Sequence, residues 1–446
     1  MVAEIGHYID NKRVAGTSGR NGEVTNPATG EVTARVAFAS IGEIDAAVQL
    51  AKKAQLAWAA TPPLRRQRVM FNLKSLVEKR ADDLARLMTL EHGKTFDDAK
   101  GEVGRGLEVV EFSCGIAHHM RGDFTEQVAT DMDSWSIRQP VGVVAGITPF
   151  NFPIMIPCWM GAMAVACGNA FILKPSEKDP SAPMLLAELF AEAGAPAGIF
   201  QVLNGDKVAV DALLKHPDVP AISFVGSTAI GEYVYHTGTQ QNKRVQALCG
   251  AKNHMVVMPD ADLDQTADAL MGAAYGAAGE RCMAISVAVA VGDVGDRLIE
   301  KLAPRVQALK VGPGLDPQSD EASYAESRDG TVVFARRSPT GDYDLFSMNQ
   351  DPWESSENFS LTSILFESSR SDVLPESSPI LDRLAEYLKR TQAKVFVTGH
   401  TDRTGDPQAN LQLSRDRALA VKRELVNRGV SPDRVKTDGK GQTEPV

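Results

Sequence analysis

The amino-acid sequence predicts an α/β protein built on a doubly wound parallel sheet, followed by a smaller α+β module. Three observations carry that reading. Short apolar runs of strand character alternate with helical stretches between Val141 and Met258, the composition turns Ser-rich near residue 317, and a compact strand and helix pattern follows from about residue 362. A chain of 446 residues is also too long for one typical core and suits two or three domains.

From Ile41 to Met120 apolar residues recur at spacings of three and four, as in Val69, Leu73, Leu76 and Val77, then Leu84, Leu87 and Met88, which predicts amphipathic helices. The strand-like runs are Val141 to Ile147, Ala170 to Leu173, Phe200 to Leu203, Ile222 to Val225 and Val256 to Met258. Continuous apolar runs between helices describe strands covered on both faces, and such sheets bind ligands at their carboxyl ends. Over 319–378 Ser, Gly, Pro and acidic residues separate brief apolar runs. There Thr331–Ala335 and Tyr343–Met348 flank Ser338-Pro339-Thr340-Gly341 as a hairpin. Beyond it Ile364–Glu367 reads as a strand, Ile380, Leu381, Leu384 and Leu388 mark a helix, Lys394–Thr398 is a strand, and a helix from Asn410 to Arg428 stops at Gly429.

A formal charge of −10 argues against a nucleic-acid partner, which needs clustered Lys and Arg. The five cysteines form no C-x-x-C pair and no Cys/His cluster, so neither disulfides nor a metal is expected. Residues 1–16 show no apolar signal-peptide core, and no run reaches the ~18 apolar residues of a membrane span. The first module therefore reads as cytoplasmic.

Several segments carry chemistry. The strand ending at Leu173 runs into Lys174-Pro175-Ser176-Glu177, placing a cation and a carboxylate at a strand's carboxyl end. The strand ending at Val225 runs into Gly226-Ser227-Thr228, small residues that open a helix whose free N–H groups suit a pyrophosphate. Pro149-Phe150-Asn151-Phe152-Pro153 fixes an irregular turn with one amide side chain, a suitable oxyanion donor. Cys282 follows the small-residue stretch Gly276-Ala277-Ala278-Gly279-Glu280-Arg281, and Arg281 or a helix N-terminus is the donor that would favour its thiolate.

Together these segments resemble the aldehyde dehydrogenase family. Lys-Pro-Ser-Glu, the Phe-x-Gly-Ser-Thr-x-x-Gly run from Phe224 to Gly231, Asn-Phe-Pro and Gly-x-Arg-Cys stand in that family's order and spacing over residues 5–316. The resemblance implies an NAD-binding domain over 1–255 with an oligomerisation arm at about 121–140, and a partial catalytic subdomain over 256–317. It implies that Lys174 and Glu177 hold the adenosine ribose, that Phe150, Gly226 and Ser227 lie by the cofactor, that Cys282 is the nucleophile, and that Asn151 stabilises the oxyanion. A carboxylate at Glu177 would repel a 2′-phosphate, which favours NAD.

Most family members carry Glu-Leu-Gly-Gly-Lys after the Gly-Ser-Thr helix, and that Glu activates the water that hydrolyses the thioester. Here the segment is Ala247-Leu248-Cys249-Gly250-Ala251-Lys252, read with alanine in the base's place. Hydrolysis should then be slow and another acceptor is implied. With Gly250–His254 and the Gly-Glu-Val-Gly-Arg-Gly run from Gly101, this resembles the methylmalonate-semialdehyde dehydrogenases, which pass the acyl group to coenzyme A. That resemblance implies a semialdehyde whose carboxylate meets Arg105 and Arg281, and products acetyl-CoA or propionyl-CoA.

The family pattern stops after Val311–Pro317, before its Glu-x-Phe-Gly-Pro segment and terminal oligomerisation strand, so the catalytic subdomain is expected to be incomplete. Residues 318–361 then read as a Ser-rich linker whose hairpin is similar to a TolB-type propeller blade. Over 362–446, Thr401-Asp402-x-x-Gly405, Asn410, Leu413-Ser414, Arg417 and Ala418 resemble the OmpA-like peptidoglycan-binding domains, again cut short at the C-terminus. By that resemblance Asp402 takes the ammonium and Arg417 the carboxylate of a diaminopimelate, in a periplasmic or outer-membrane setting. Two alternatives to the dehydrogenase reading follow: a peptidoglycan-binding protein and an inactive fusion of two fragments. The arm at 121–140 is expected to join a homo-oligomer.

Overall fold

The computed structural model describes residues 2–317, 319–320, 333–337, 343–347, 373, 377–391, 395–400 and 407–441. The chain divides into two compact units, residues 1–325 with 334–344, and residues 326–333 with 345–446.

The first unit opens with β1 (Ala3–Ile5), β2 (His7–Ile9), β3 (Lys12–Val14), β4 (Asn21–Thr25) and β5 (Val32–Ala37). β2 and β3 form a hairpin whose turn residues Asp10 and Asn11 take φ 55° and 56°, the left-handed pair that suits strand twist. Helix α1 (Ile41–Ala60) starts in a reciprocal cap between Ser40 and Glu43. Helices α2 (Pro63–Lys79), α3 (Ala81–His92), α4 (Phe96–Ser113) and α5 (Ile116–His119) follow, and Gly93 at φ 97° ends α3. Of the predicted apolar positions Leu73, Val77, Leu84 and Met88 are inaccessible to solvent and Val69 is buried, while Leu76 and Leu87 are half-buried. Strands β6 (Phe124–Ala129) and β7 (Met132–Trp135) make a hairpin exposed along its whole length.

The central sheet is then laid down by β8 (Val143–Ile147), α6 (Met155–Ala166), β9 (Ala170–Lys174), α7 (Ser181–Glu192), β10 (Phe200–Val202), α8 (Lys207–Lys215), β11 (Ala221–Val225), α9 (Thr228–Gln240) and β12 (Arg244–Leu248). Its order is β12-β11-β8-β9-β10-β2-β3, parallel from β12 to β10, with the β2–β3 hairpin joining antiparallel at Val202↔Tyr8. The chain steps outward from β8 in one direction, then returns to β8's other side as β11. That reversal opens a crevice at the carboxyl ends of β8 and β11.

One sequence expectation is corrected here. The apolar run at Val256–Met258 is not a further strand of that sheet. It belongs to β13 (Asn253–Val257), which pairs in parallel with β14 (Ile285–Ala290) as a separate two-stranded sheet. Helices α10 (Leu263–Leu270) and α11 (Val294–Gln307) cover it, with a small core of Val257, Leu263, Ala267, Leu270, Val294 and Leu298. The strand that completes the main sheet is β12, which alternates exposed and half-buried residues and so lacked a continuous apolar signal.

The predicted hairpin is present as paired strands β15 (Val333–Arg337) and β16 (Tyr343–Ser347). In the second unit α12 (Ser378–Thr391), β17 (Val395–His400), α13 (Pro407–Asn427) and β18 (Val435–Gly441) follow the predicted order, and Gly429 at φ 90° lies just past α13. β17 and β18 pair in parallel, and Leu381, Leu384, Leu388, Val421, Leu425, Val430 and Val435 form the core. The strand expected at Ile364–Glu367 lies outside the described residues.

Candidate active site

The carboxyl ends of β8, β9 and β11 each deliver one of the segments singled out by sequence. Lys174 closes β9, is almost wholly buried, and its Nζ lies 3.1 Å from Glu177 Oε2. Burial works against the Glu177 charge, but the Lys174 ammonium and hydrogen bonds outweigh it and hold the carboxyl below its ordinary value. Gly226 follows β11 and donates to the Leu248 carbonyl at 3.1 Å, so the turn is tied to the neighbouring strand. Ser227 caps α9 with its backbone alone, its side chain making no capping bond, which leaves first-turn N–H groups of α9 without intrahelical partners. Gly231 permits the close seat of that helix: a Cβ there would lie 2.1 Å from Cys249 Sγ.

The segment after β8 carries Thr148, Phe150 and Asn151. Thr148 Oγ1 is buried with no hydrogen-bond partner among the described residues. Phe150 stacks on His92 with centroids 5.7 Å apart, and Lys178 Nζ lies 4.6 Å from the Phe150 ring. A cation–carboxylate pair with its lysine buried and its carboxylate half-exposed, an open helix N-terminus and an orphaned hydroxyl line one edge of the sheet. These groups fit a dinucleotide laid across the switch point.

The loop carrying Cys282 comes from the other small sheet. After α10 the helix loosens into a π turn over Met271–Tyr275 and a 3-10 turn over Gly276–Gly279. Within it Ala277 and Ala278 both take φ 52°, a left-handed conformation that costs a non-glycine residue on the order of 1–3 kcal/mol. Cys282 is exposed. Asn253 Nδ2 donates to the carbonyls of Cys282 at 2.7 Å and Ala284 at 3.0 Å, so β13 holds the backbone at Cys282. Asn151 Nδ2 donates to the Glu280 carbonyl at 2.8 Å, which brings the amide and the cysteine loop together.

Behind them lies a buried group of charges that sequence reading missed. Lys94 Nζ lies 2.6 Å from Glu102 Oε2, and both side chains are about 1% exposed. Removing one partner of such a pair costs about 3–5 kcal/mol, because the other charge is left buried and unpaired. Burial, then the Lys94, Lys178 and Arg281 charges, push His92 down to about 2. His92 is therefore neutral, and its 3.6 Å approach to Glu280 Oε2 is a polar contact rather than an ion pair. Burial raises Glu280 above the ordinary carboxylate value, against the pull of Lys178 and Lys94. Asp179 is buried and raised by desolvation, then by Glu91 and Glu102. In the sequence these residues look like surface charges; only the packing of α3, α4 and the β8 loop buries them.

Arg281, expected to serve the thiolate or the substrate, is occupied otherwise: its Nη2 lies 2.5 Å from Asp98 Oδ1, and Nη1 donates to the Gly272 carbonyl at 3.1 Å. Arg105 is exposed on α4, and no ion pair of its side chain occurs among the described residues. The five-residue base motif, counted back from Lys252, puts Leu248 rather than Ala247 opposite the family's glutamate. The conclusion is unchanged, because no Asp or Glu stands between Glu232 and Asp260. In the second unit Arg417 lies on α13, while Asp402 falls outside the described residues. Among the described residues no group of His, Cys, Asp and Glu is arranged to hold a metal, and no helix is long and apolar enough to cross a membrane.

Comparison with known proteins gives the family. Residues 14–331 match the aldehyde dehydrogenase family and residues 365–446 match the OmpA family. The malonate-semialdehyde dehydrogenase of Pseudomonas aeruginosa is 54% identical over 309 residues, covering 69% of this chain and 62% of that protein. The mitochondrial methylmalonate-semialdehyde/malonate-semialdehyde dehydrogenase [acylating] of Mus musculus is 48% identical, covering 70% of this chain and 58% of that one. Among solved structures, a Sinorhizobium meliloti protein assigned as a methylmalonate-semialdehyde dehydrogenase, in complex with NAD, is 59% identical with a TM-score of 0.72, covering 74% of this chain and 67% of that one. The chain thus spans less than two thirds of the length of these curated relatives. By fold, motif and identity the chain belongs to the aldehyde dehydrogenase family through residue 331, with an OmpA-family segment at 365–446.

Proposed function

We propose that this chain oxidises malonate or methylmalonate semialdehyde with NAD, through a thioester at Cys282, and passes the acyl group to coenzyme A. The observation that carries this reading is the hydrogen bond joining Asn151 to the Cys282 loop, in a site with no carboxylate between Glu232 and Asp260. An amide beside a cysteine suits stabilisation of a tetrahedral alkoxide, and the lack of a base suits an acyl-enzyme that waits for a thiol. NAD, when bound, supplies the acceptor for the aldehyde's hydride.

Lys174 and Glu177 would hold the adenosine ribose, Gly226 and Ser227 the pyrophosphate, and Phe150 would border the reactive end. Cys282 attacks the aldehyde carbon, and Asn151 exchanges the Glu280 carbonyl for the developing oxyanion. Arg105 is the cation open to the substrate carboxylate, since Arg281 is already neutralised by Asp98. The carboxylated acyl group then loses carbon dioxide, and coenzyme A takes the remainder as acetyl-CoA or propionyl-CoA. The names and identities of the relatives support the substrate class. The exposed hairpin, with Phe124, Met132 and Trp135 more than half exposed, suits a homo-oligomeric contact in a cytoplasmic enzyme.

The test is NADH release from malonate semialdehyde by the full chain with and without coenzyme A. Turnover that requires coenzyme A is expected; turnover that is the same without it would exclude the acylating reading, and no NADH would leave the inactive-fusion alternative. The OmpA-family match favours a second reading for the second unit, capture of a peptidoglycan peptide by Arg417 and Asp402. Co-sedimentation with peptidoglycan that is lost in Arg417→Ala would support it, and sedimentation unchanged by the variant would count against it.

A further inference from the structure

One face of α4 meets both halves of the site. Asp98 and Glu102 stand four residues apart on it and so share a face. Glu102 Oε1 accepts the N–H groups of Ile154 at 2.8 Å and Met155 at 3.0 Å, while its Oε2 takes Lys94 Nζ at 2.6 Å. Lys94 Nζ in turn donates to the backbone carbonyl of Asn151 at 2.8 Å. A turn earlier on the helix, Asp98 takes the guanidinium of Arg281, the residue before Cys282.

We propose that Lys94, Glu102 and Asp98 are positioning residues through which helix α4 sets the separation of the Asn151 amide from the Cys282 thiol. The proposal rests on the catalytic roles assigned above. A buried ion pair is weak evidence of added stability, since a well-packed apolar pair often serves as well or better. Here the pair spends its remaining hydrogen bonds on the backbone of the oxyanion loop. Lys94 grips the main chain of Asn151 and leaves its side-chain amide able to exchange one oxygen acceptor for another. Misplacement by about 1 Å at such a site costs about 100-fold in rate.

The full chain is the test object, with Glu102→Gln, the charge-free pair Lys94→Met with Glu102→Gln, Asp98→Asn, and Glu108→Gln on the exposed side of α4 as control. The charge-free pair keeps an acceptor for Ile154 and Met155 without stranding a buried charge, so it remains informative where the single variant fails to fold. In that pair amide hydrogen exchange should quicken about tenfold at residues 150–155 and 276–284, with 222–231 unchanged. The rate of the NADH burst should fall about 30- to 100-fold with KM for NAD within about twofold. Asp98→Asn should quicken exchange at 276–284 alone, and Glu108→Gln should change nothing. Exchange that rises uniformly through the unit, or a KM for NAD that rises in step with the loss of rate, would reduce the pair to general stability and overturn the proposal. Absence of NADH from the unsubstituted chain would defeat the functional reading by itself; the positioning role is then decided by the exchange pattern, and unchanged exchange at 150–155 overturns it.

Discussion

The carboxyl edge of the main sheet and the loop carrying Cys282 sit in one unit yet are supported very differently. β9 is buried at every position and its carboxyl end is pinned by an ion pair, whereas β13 and β14 form a two-stranded sheet with mostly half-buried or exposed residues over a small core of its own. The loop carrying Cys282 adds two left-handed alanines and leans on Asn253, Arg281 and the Asn151 amide for its placement. The contrast teaches that the main sheet's edge is fixed by its own packing, while the placement of Cys282 depends on a few hydrogen bonds that cross from α4 and the β8 loop.

Substitutions can break that comparison or sharpen it. Cys282→Ala should abolish NADH release, a loss on the order of 10⁴-fold or more, while NAD binding measured by fluorescence quenching stays as it was. Asn151→Ala should lower kcat about 10²- to 10³-fold, again with NAD affinity retained; a parallel loss of affinity would mean that the two regions are not separable. Glu177→Gln works from the other side. It should weaken NAD about 30-fold by calorimetry and leave alkylation of Cys282 by iodoacetamide at its original rate.

The smallest effect is one of stability. Glu91 accepts the N–H of Ser181 at the start of α7, and burial raises its carboxyl to about 7 from 4.5. Between those values the unfolded chain loses the proton first, so the native state loses stability as pH rises from about 4.5 through 7. Glu91→Gln should therefore be more stable than the parent by about 1–3 kcal/mol at pH 8 and equal to it at pH 4, read from urea midpoints.

The same contrast explains what was legible in the sequence. β8, β9 and β10 announced themselves because a strand buried on both faces needs a continuous apolar run, and β11, with one face half-buried, still kept a mostly apolar one. The segments at Phe150–Asn151, Lys174–Glu177 and Gly226–Ser227 were legible because each sits where such a strand ends, whereas Cys282 follows α10 and was marked by the small residues before it. β12 was missed because an edge strand alternates, and Val256 was read into the wrong sheet because a short run carries no information about its partner. Lys94, Glu102, His92 and Asp179 were missed for a different reason: their burial is created by packing among elements distant in sequence, α3, α4 and the segments after β8 and β9, and no local pattern marks it.

The central claim is that Cys282 forms the acyl-enzyme. Mixing the full chain with NAD and malonate semialdehyde in the absence of coenzyme A, then weighing its peptides, tests it most directly. The account predicts an acyl adduct on Cys282 in step with one NADH per adduct, and discharge of that adduct when coenzyme A is added. NADH release with Cys282 unmodified, or an adduct carried by Cys249 instead, would contradict it.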